Sequence, residues 1–193
     1  MLGEDWNSRR LRKALIEAYP YLQPRNVFTD KIPEDYDYEY ILGEHDLPEG
    51  WFELFLQMCE DLREPLAKAD YLDKFRFSQI KEKFGSMRAY TFGATREVQN
   101  IIAKYEFLST QVCCVCGKSA TVRTYDWTCP YCFEHVKYSN ENLDDCAVID
   151  PKTSYTRLVY SAGVTTETTI DCTDEWNRYL ARINYQEGNT SGS

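Results

Sequence analysis

The chain has 193 residues, 43% hydrophobic and 15% aromatic, with 22 basic against 31 acidic residues and a formal net charge of −9. This composition supports a packed core and excludes global disorder, and so negative a chain excludes non-specific nucleic-acid binding by its whole surface. No apolar run approaches the about 20 residues that span a bilayer, and MLGEDWNSRRLRKALIEAY lacks the apolar centre of a signal peptide, so a cytoplasmic protein without membrane contact is expected.

Charge is segregated along the chain. Residues 30–73 hold 14 acids against 3 bases, whereas 74–104 hold 7 bases against 2 acids. One acidic segment sets the sign of the whole, and a local basic face is compatible with it.

Leu11, Leu15, Ala18 and Tyr19 recur at helical spacing and predict a helix over 5–19 that Pro20 ends. Its bases, Arg9, Arg10, Arg12 and Lys13, fall mostly on the polar side, as a solvated face would. Residues 20–49 carry Pro20, Pro24, Pro33 and Pro48, so no helix persists there. Within them Tyr36, Tyr38 and Tyr40 alternate with Asp35, Asp37 and Glu39. That period predicts a strand with tyrosines on one face and carboxylates on the other. An edge strand with solvated acids is the simpler expectation. The functional one is an acidic, aromatic recognition surface over 34–46, because tyrosine suits interfaces.

Residues 50–69, GWFELFLQMCEDLREPLAKA, set Trp51, Phe55, Met58, Leu62 and Leu66 on one stripe, broadened by Phe52, Leu54, Leu56 and Cys59. They predict the central core helix, kinked or ended by Pro65, with Cys59 a small buried hydrophobe. Residues 74–92 read as a β-hairpin turning at KFGS. Lys74, Arg76, Lys81, Lys83 and Arg88 make it basic, and with Tyr90 beside them it can take phosphate and stack a base. The simpler expectation is that these bases face water or pair with the acidic segment. Val98, Ile101, Ile102, Tyr105 and Leu108 predict a further helix over 95–109.

Five of the eight cysteines fall in CCVCGKSATVRTYDWTCPYC, residues 113–132. Cys113 with Cys116, and Cys129 with Cys132, form two C-x-x-C pairs. Two such knuckles on a short hairpin point four thiolates at one ion, the arrangement of a closed structural zinc site. Gly117 suits the turn after the first pair, and TVRTYDW alternates like the strand of a zinc ribbon.

Other chemistries fit less well. Disulfides suit a reducing compartment poorly, and a thioredoxin-like centre has one pair opening a helix. Catalytic zinc keeps an open position. The deaminase signature fails because Pro130 lies inside CPYC and His45 is followed by Asp46 and Leu47. The expected ligands are Cys113, Cys116, Cys129 and Cys132, with Cys114 spare and His135 an outside candidate for one position.

GWFELFLQMCEDL, FSQIKEKFGSMRAY and CCVCG…WTCPYC, in that order over residues 47–135, resemble a set of small, uncharacterised bacterial and phage proteins. Those share an aromatic-rich helix, a K-E-K-F-G-x-x-R-x-Y block and a C-x-x-C-G…W…C-x-x-C/H knuckle. The block is Lys81, Glu82, Lys83, Phe84, Gly85, Arg88 and Tyr90 here. The resemblance implies a shared fold and brings no activity. Residues 136–193 stand outside it.

In that tail, TSYTRLVYSAG and TTETTIDCT predict a hairpin around Ala162-Gly163, DEWNRYLARI a helix, and EGNTSGS a disordered end. Cys146 and Cys172 lack ligand spacing. His45 and His135 are the only histidines, there is no Gly-rich phosphate loop, and no spacing singles out a carboxylate pair. Catalysis therefore has few candidates.

The sequence thus predicts an α+β protein: helices packed on a small antiparallel sheet, a zinc-ribbon-like module, and a C-terminal hairpin–helix extension. The expected divisions are 1–109, 110–135 and 136–193. The expected function is non-enzymatic binding of a protein partner with a basic nucleic-acid channel. Asp35, Tyr36, Asp37, Tyr38, Glu39 and Tyr40 would make the contact, as in a phage-type inhibitor of a host defence nuclease complex. The alternative is nucleic-acid binding through the basic hairpin and the zinc ribbon.

Overall fold

The computed structural model describes residues 8–26, 28–34, 47–125, 128–138, 146–161 and 163–190. Helix α1 (Arg9–Ala18) starts at Ser8, whose side chain accepts from the Leu11 amide. A 3-10 turn over Pro20–Leu22 follows and buries Tyr21 and Leu22. The acidic tyrosine segment, expected as a strand, lies outside the described residues.

Helix α2 (Phe52–Lys68) is the central element, and Pro65 lies inside it rather than ending it. Leu54, Phe55, Met58, Cys59, Leu62 and Leu66 are fully buried, as is Trp51 just before them. Tyr21 covers one side of α2, with its hydroxyl donating to the Cys59 carbonyl.

The basic hairpin forms as expected, from β1 (Arg76–Lys83) and β2 (Ser86–Phe92) in antiparallel register. Phe84 and Gly85 both take positive φ at its turn, 53° and 72°, which matches the twist of a two-residue hairpin. Gly85 is required for a second reason: a Cβ there would stand 2.2 Å from the Thr128 carbonyl oxygen. The hairpin tip therefore abuts the cysteine-rich segment.

A two-stranded sheet alone is marginal. Helix α3 (Arg96–Ser109), capped by Thr95, covers the free edge of β2. Its Glu106 carboxylate accepts from the Ala89 amide at 2.9 Å, and its Ser109 hydroxyl from the Met87 amide at 2.8 Å.

The cysteine-rich segment adds a three-stranded antiparallel sheet in the order β4–β3–β5, made of β3 (Val122–Arg123), β4 (Pro130–Tyr131) and β5 (Ala147–Val148). Among the described residues of TVRTYDW, pairing is confined to Val122–Arg123. The third strand comes from beyond the expected ribbon.

The tail forms the expected hairpin, β6 (Ser154–Ser161) with β7 (Val164–Asp171). Helix α4 (Thr173–Thr190) follows and continues through residues 187–190, which the sequence assigned to a disordered end. It is no appendage: Trp176, Tyr179 and Ile183 enter the same core as α2 and α3. The architecture is α+β, four helices with small antiparallel sheets among the described residues. None of these helices is long and apolar enough to cross a membrane.

Polar bonds lock α4 onto the core. The Asp61 carboxylate on α2 accepts two bonds from Arg178, at 2.7 and 2.6 Å, and one from the Tyr105 hydroxyl at 2.5 Å. Beside it, Gln57 donates to the Glu175 carbonyl at 2.8 Å, and Lys104 pairs with the Glu175 carboxylate at 2.7 Å. Burial alone would raise the Asp61 pKa, but the bonds from Arg178 and Tyr105 outweigh it and hold the carboxyl below its usual range.

A carboxyl so depressed contributes stability that is present above its unfolded pKa and lost as pH falls through the folded one. Replacing Asp61 with Asn should cost about 1–2 kcal/mol in urea unfolding at neutral pH, the lower side of charged hydrogen bonds because Arg178 is half exposed. The gap between wild type and variant should narrow as pH drops below about 4.

Candidate metal centre

The knuckle at Cys113 is a tight turn. The Gly117 amide donates back to the Cys113 carbonyl at 3.0 Å, and the Cys113 amide to the Lys118 carbonyl at 2.8 Å. Gly117 has φ 78°, as the turn after the pair requires. A second turn follows β4, where the His135 and Val136 amides donate to the Cys132 carbonyl at 3.0 and 3.1 Å.

These two turns bring Cys113, Cys116, Cys132 and His135 together, their ligand atoms all within 4.8 Å of one another. Cys116 Sγ lies 3.8 Å from Cys132 Sγ, and His135 Nδ1 lies 3.8 Å from Cys113 Sγ and 3.1 Å from Cys132 Sγ. This group can hold a metal ion. No disulfide joins any of the eight cysteines.

The expected set of four sulfurs differs at one position. Cys129 is not in the group, and His135 stands in its place. The reason is backbone conformation. A C-x-x-C pair converges only when its two middle residues turn. Pro130 and Tyr131 instead form the strand β4, paired with Arg123 and Val122, so the sulfurs of Cys129 and Cys132 diverge. The turn that does converge spans Phe133 and Glu134, and it delivers His135. Cys129 packs beside Cys114, the cysteine expected to be spare, and the two thiols share a hydrogen bond that pushes the Cys114 pKa far up together with burial.

Burial pushes the Cys116 thiol up to about 12 and raises Cys132 as well, against backbone N–H groups of Lys118 and His135 that favour thiolate. Without a cation these sulfurs keep their protons. A bound divalent ion reverses the balance and releases them.

The knuckle is wedged into the core. The Gly50 amide donates to the Cys114 carbonyl at 3.0 Å. The Tyr179 hydroxyl on α4 donates to the Gly117 carbonyl at 2.5 Å, and the Trp51 indole to the Val112 carbonyl at 2.8 Å.

The other candidates are spread over the hairpin. Lys74 lies 5.4 Å from the Tyr71 ring centroid, Lys81 5.5 Å from that of Tyr90, and Lys83 5.5 Å from that of Phe84. Arg88 pairs with Glu106 at 3.3 Å, and Arg76 donates to the carbonyls of Leu72 and Phe75. Asp35, Tyr36, Asp37, Tyr38, Glu39, Tyr40 and His45 lie outside the described residues. Cys59 and Cys172 are buried in the core, away from the metal group. No family model, no curated protein and no solved structure matches the chain.

The two ligand sets make opposite predictions. Cys129→Ser should keep about one metal ion per chain, whereas His135→Ala should lose it or bind it at least tenfold more weakly, with Cys132→Ser, common to both sets, as the control for loss. Elemental analysis of the purified variants, with chelator competition, reads this directly. Loss in Cys129→Ser together with retention in His135→Ala would restore the four-sulfur set.

Proposed function

We infer that the chain is a zinc-stapled binding protein, not an enzyme, and that it engages a protein partner through its acidic, tyrosine-rich segment. The observation that carries this reading is the Cys113, Cys116, Cys132 and His135 group. Three thiols and an imidazole are a donor set suited to zinc. A tetrahedral zinc, with Zn–S about 2.3 Å and Zn–N about 2.0–2.1 Å, needs S···S near about 3.8 Å and S···N near about 3.5 Å. The sulfur pair stands at 3.8 Å, and the two sulfur–nitrogen separations, 3.1 and 3.8 Å, bracket the second value.

Four protein ligands leave no coordination position for water or substrate, which is the pattern of a structural ion. Its chemistry is to hold four side chains at one point. Residues Cys113–Gly117 meet the 3-10 turn before α2 at Gly50 and α4 at Tyr179, so the ion would staple both to the ribbon.

The partner is inferred from charge. Residues 30–73 carry 14 acids against 3 bases, and Asp35, Asp37 and Glu39 alternate within them with tyrosines. Such a segment complements a basic nucleic-acid channel, and steering by opposite charge speeds its association. An inhibitor that fills the channel of a nuclease complex is the activity this profile fits.

Two measurements test the parts separately. Removing the ion with a chelator should lower the melting temperature and loosen α4, seen as lost near-ultraviolet signal from Trp176 and Tyr179. In capture from nuclease-treated bacterial lysate, a variant carrying Asp35→Asn, Asp37→Asn and Glu39→Gln should fail to retain a basic nucleic-acid-binding protein that wild type retains. Equal capture by both would sink the partner reading and leave the staple standing.

A further inference from the structure

A cleft lies between the loop after the Pro20–Leu22 turn and the base of the hairpin. Arg25, Lys74, Arg76 and Phe92 line it, with Asp30 the one carboxylate among its lining residues. An aromatic cluster holds its two walls together. Tyr21 from the loop packs on Phe75 with ring centroids 5.7 Å apart, and Phe75 on Phe77 at 5.1 Å. The cleft is therefore a preformed feature of the core's edge.

Its charge is under-compensated. Among the described residues Asp30 pairs with Arg25 at 3.5 Å, and Asp30 and Asp73 both offset the Arg76 charge, so two acids face three cations. The Nε atoms of both Arg25 and Arg76 are buried and have no hydrogen-bond partner among the described residues. Burial, and then the neighbouring Arg25 charge, depress the Arg76 pKa. Two guanidiniums that line one cleft and repel each other, with an ammonium in the same lining, call for an anion.

The cleft opens onto exposed aromatic surface. Phe92 pairs across the hairpin with Arg76 and is 50% exposed. Tyr90, two residues back on β2 and so on the same face, is 42% exposed, with its ring beside the Lys81 ammonium. Two residues along a strand place successive rings about 7 Å apart. Rings on an open sheet face, flanked by cations, are the combination that holds single-stranded nucleic acid. The rings stack bases and the cations take phosphates.

We propose that the Arg25–Lys74–Arg76 cleft and the adjoining Phe92–Tyr90 face form a binding site for single-stranded nucleic acid. The cleft takes a backbone phosphate and the two rings stack neighbouring bases. Duplex does not fit, because its bases are already stacked and offer no free face to Phe92 or Tyr90. The site is independent of the acidic segment's role, and it adds Arg25 and Phe92 to the basic hairpin that the sequence made visible.

The test is fluorescence anisotropy of full-length, metal-replete protein with a labelled oligothymidylate, its duplex with oligoadenylate, and a salt series. Wild type should bind the single strand in preference to duplex, with affinity falling steeply as salt rises. Phe92→Ala, at an exposed position, should weaken binding about 5- to 150-fold with the salt slope unchanged. Lys74→Gln, at an exposed position, should weaken binding and reduce the salt slope by about one. Arg76→Gln should do the same, with circular dichroism confirming the fold.

No binding at low salt would overturn the proposal. So would equal affinity for duplex, or unchanged affinity in both Phe92→Ala and Lys74→Gln. Full displacement of the oligonucleotide by polyglutamate, with Phe92→Ala silent, would assign the cleft to an acidic peptide instead.

Discussion

Everything distal to the hairpin depends on one close backbone contact. Gly50, in the 3-10 turn Glu49–Trp51 that leads into α2, and Gly117, just after the first cysteine pair, are pressed together. A Cβ on Gly50 would stand 2.2 Å from the Cys113 carbonyl oxygen, and one on Gly117 would stand 2.8 Å from the Gly50 carbonyl oxygen. No side chain fits between these chains. The contact lets the Gly50 amide reach the Cys114 carbonyl and lets Tyr179 cap the Gly117 carbonyl. Three elements far apart in sequence thus meet at the backbone of the Cys113–Gly117 turn. The knuckle organises the core as much as the core supports the knuckle.

The same segment is tied to the tail by further bonds. Gln111 donates to the Lys152 carbonyl at 2.8 Å, and Ile149 to the Thr121 carbonyl at 2.9 Å, which draws the chain beyond the ribbon back onto it. Helix α4 then returns to α2 through Asp61 and Gln57. The apolar stripe of α2 is broad enough to serve α3 on one side and α4 on the other. A narrower stripe would have left the tail without a surface to bury Trp176 and Tyr179.

Much of this was legible from periodicity. The α2 stripe, the hairpin with its Phe84-Gly85 turn and the α3 stripe each carry a pattern that only one backbone conformation satisfies. The candidate ligand group was half legible, for a physical reason. CPYCFEH contains two overlapping x-x spacings, and spacing alone does not say which pair of middle residues turns. That choice is made by strand pairing with Val122 and Arg123, a non-local event. Pairing extends Pro130-Tyr131, which separates Cys129 from Cys132 and leaves the turn to Phe133-Glu134. The signal available in the sequence was His135 itself, three residues past Cys132. Cleft residues such as Arg25 were illegible for a similar reason. Arg25 sits in a proline-rich loop without period, and its meeting with Arg76 follows from the burial of Tyr21 against Phe75 and Phe77.

Opposite charges adjacent in sequence have distinct physical consequences here. Arg88 is neutralised by Glu106 on α3, so the bases of the hairpin are not equivalent. Lys74, Lys81 and Lys83 instead lie over aromatic rings, contacts that hold an ammonium in place without cancelling its charge. A cation held this way keeps its field directed outward, whereas one paired with a carboxylate does not. Net charge therefore says little about the hairpin face. What decides its chemistry is which of its bases are paired by acids and which are positioned by rings, Lys81 and Lys83 near the turn and Lys74 at the opposite end.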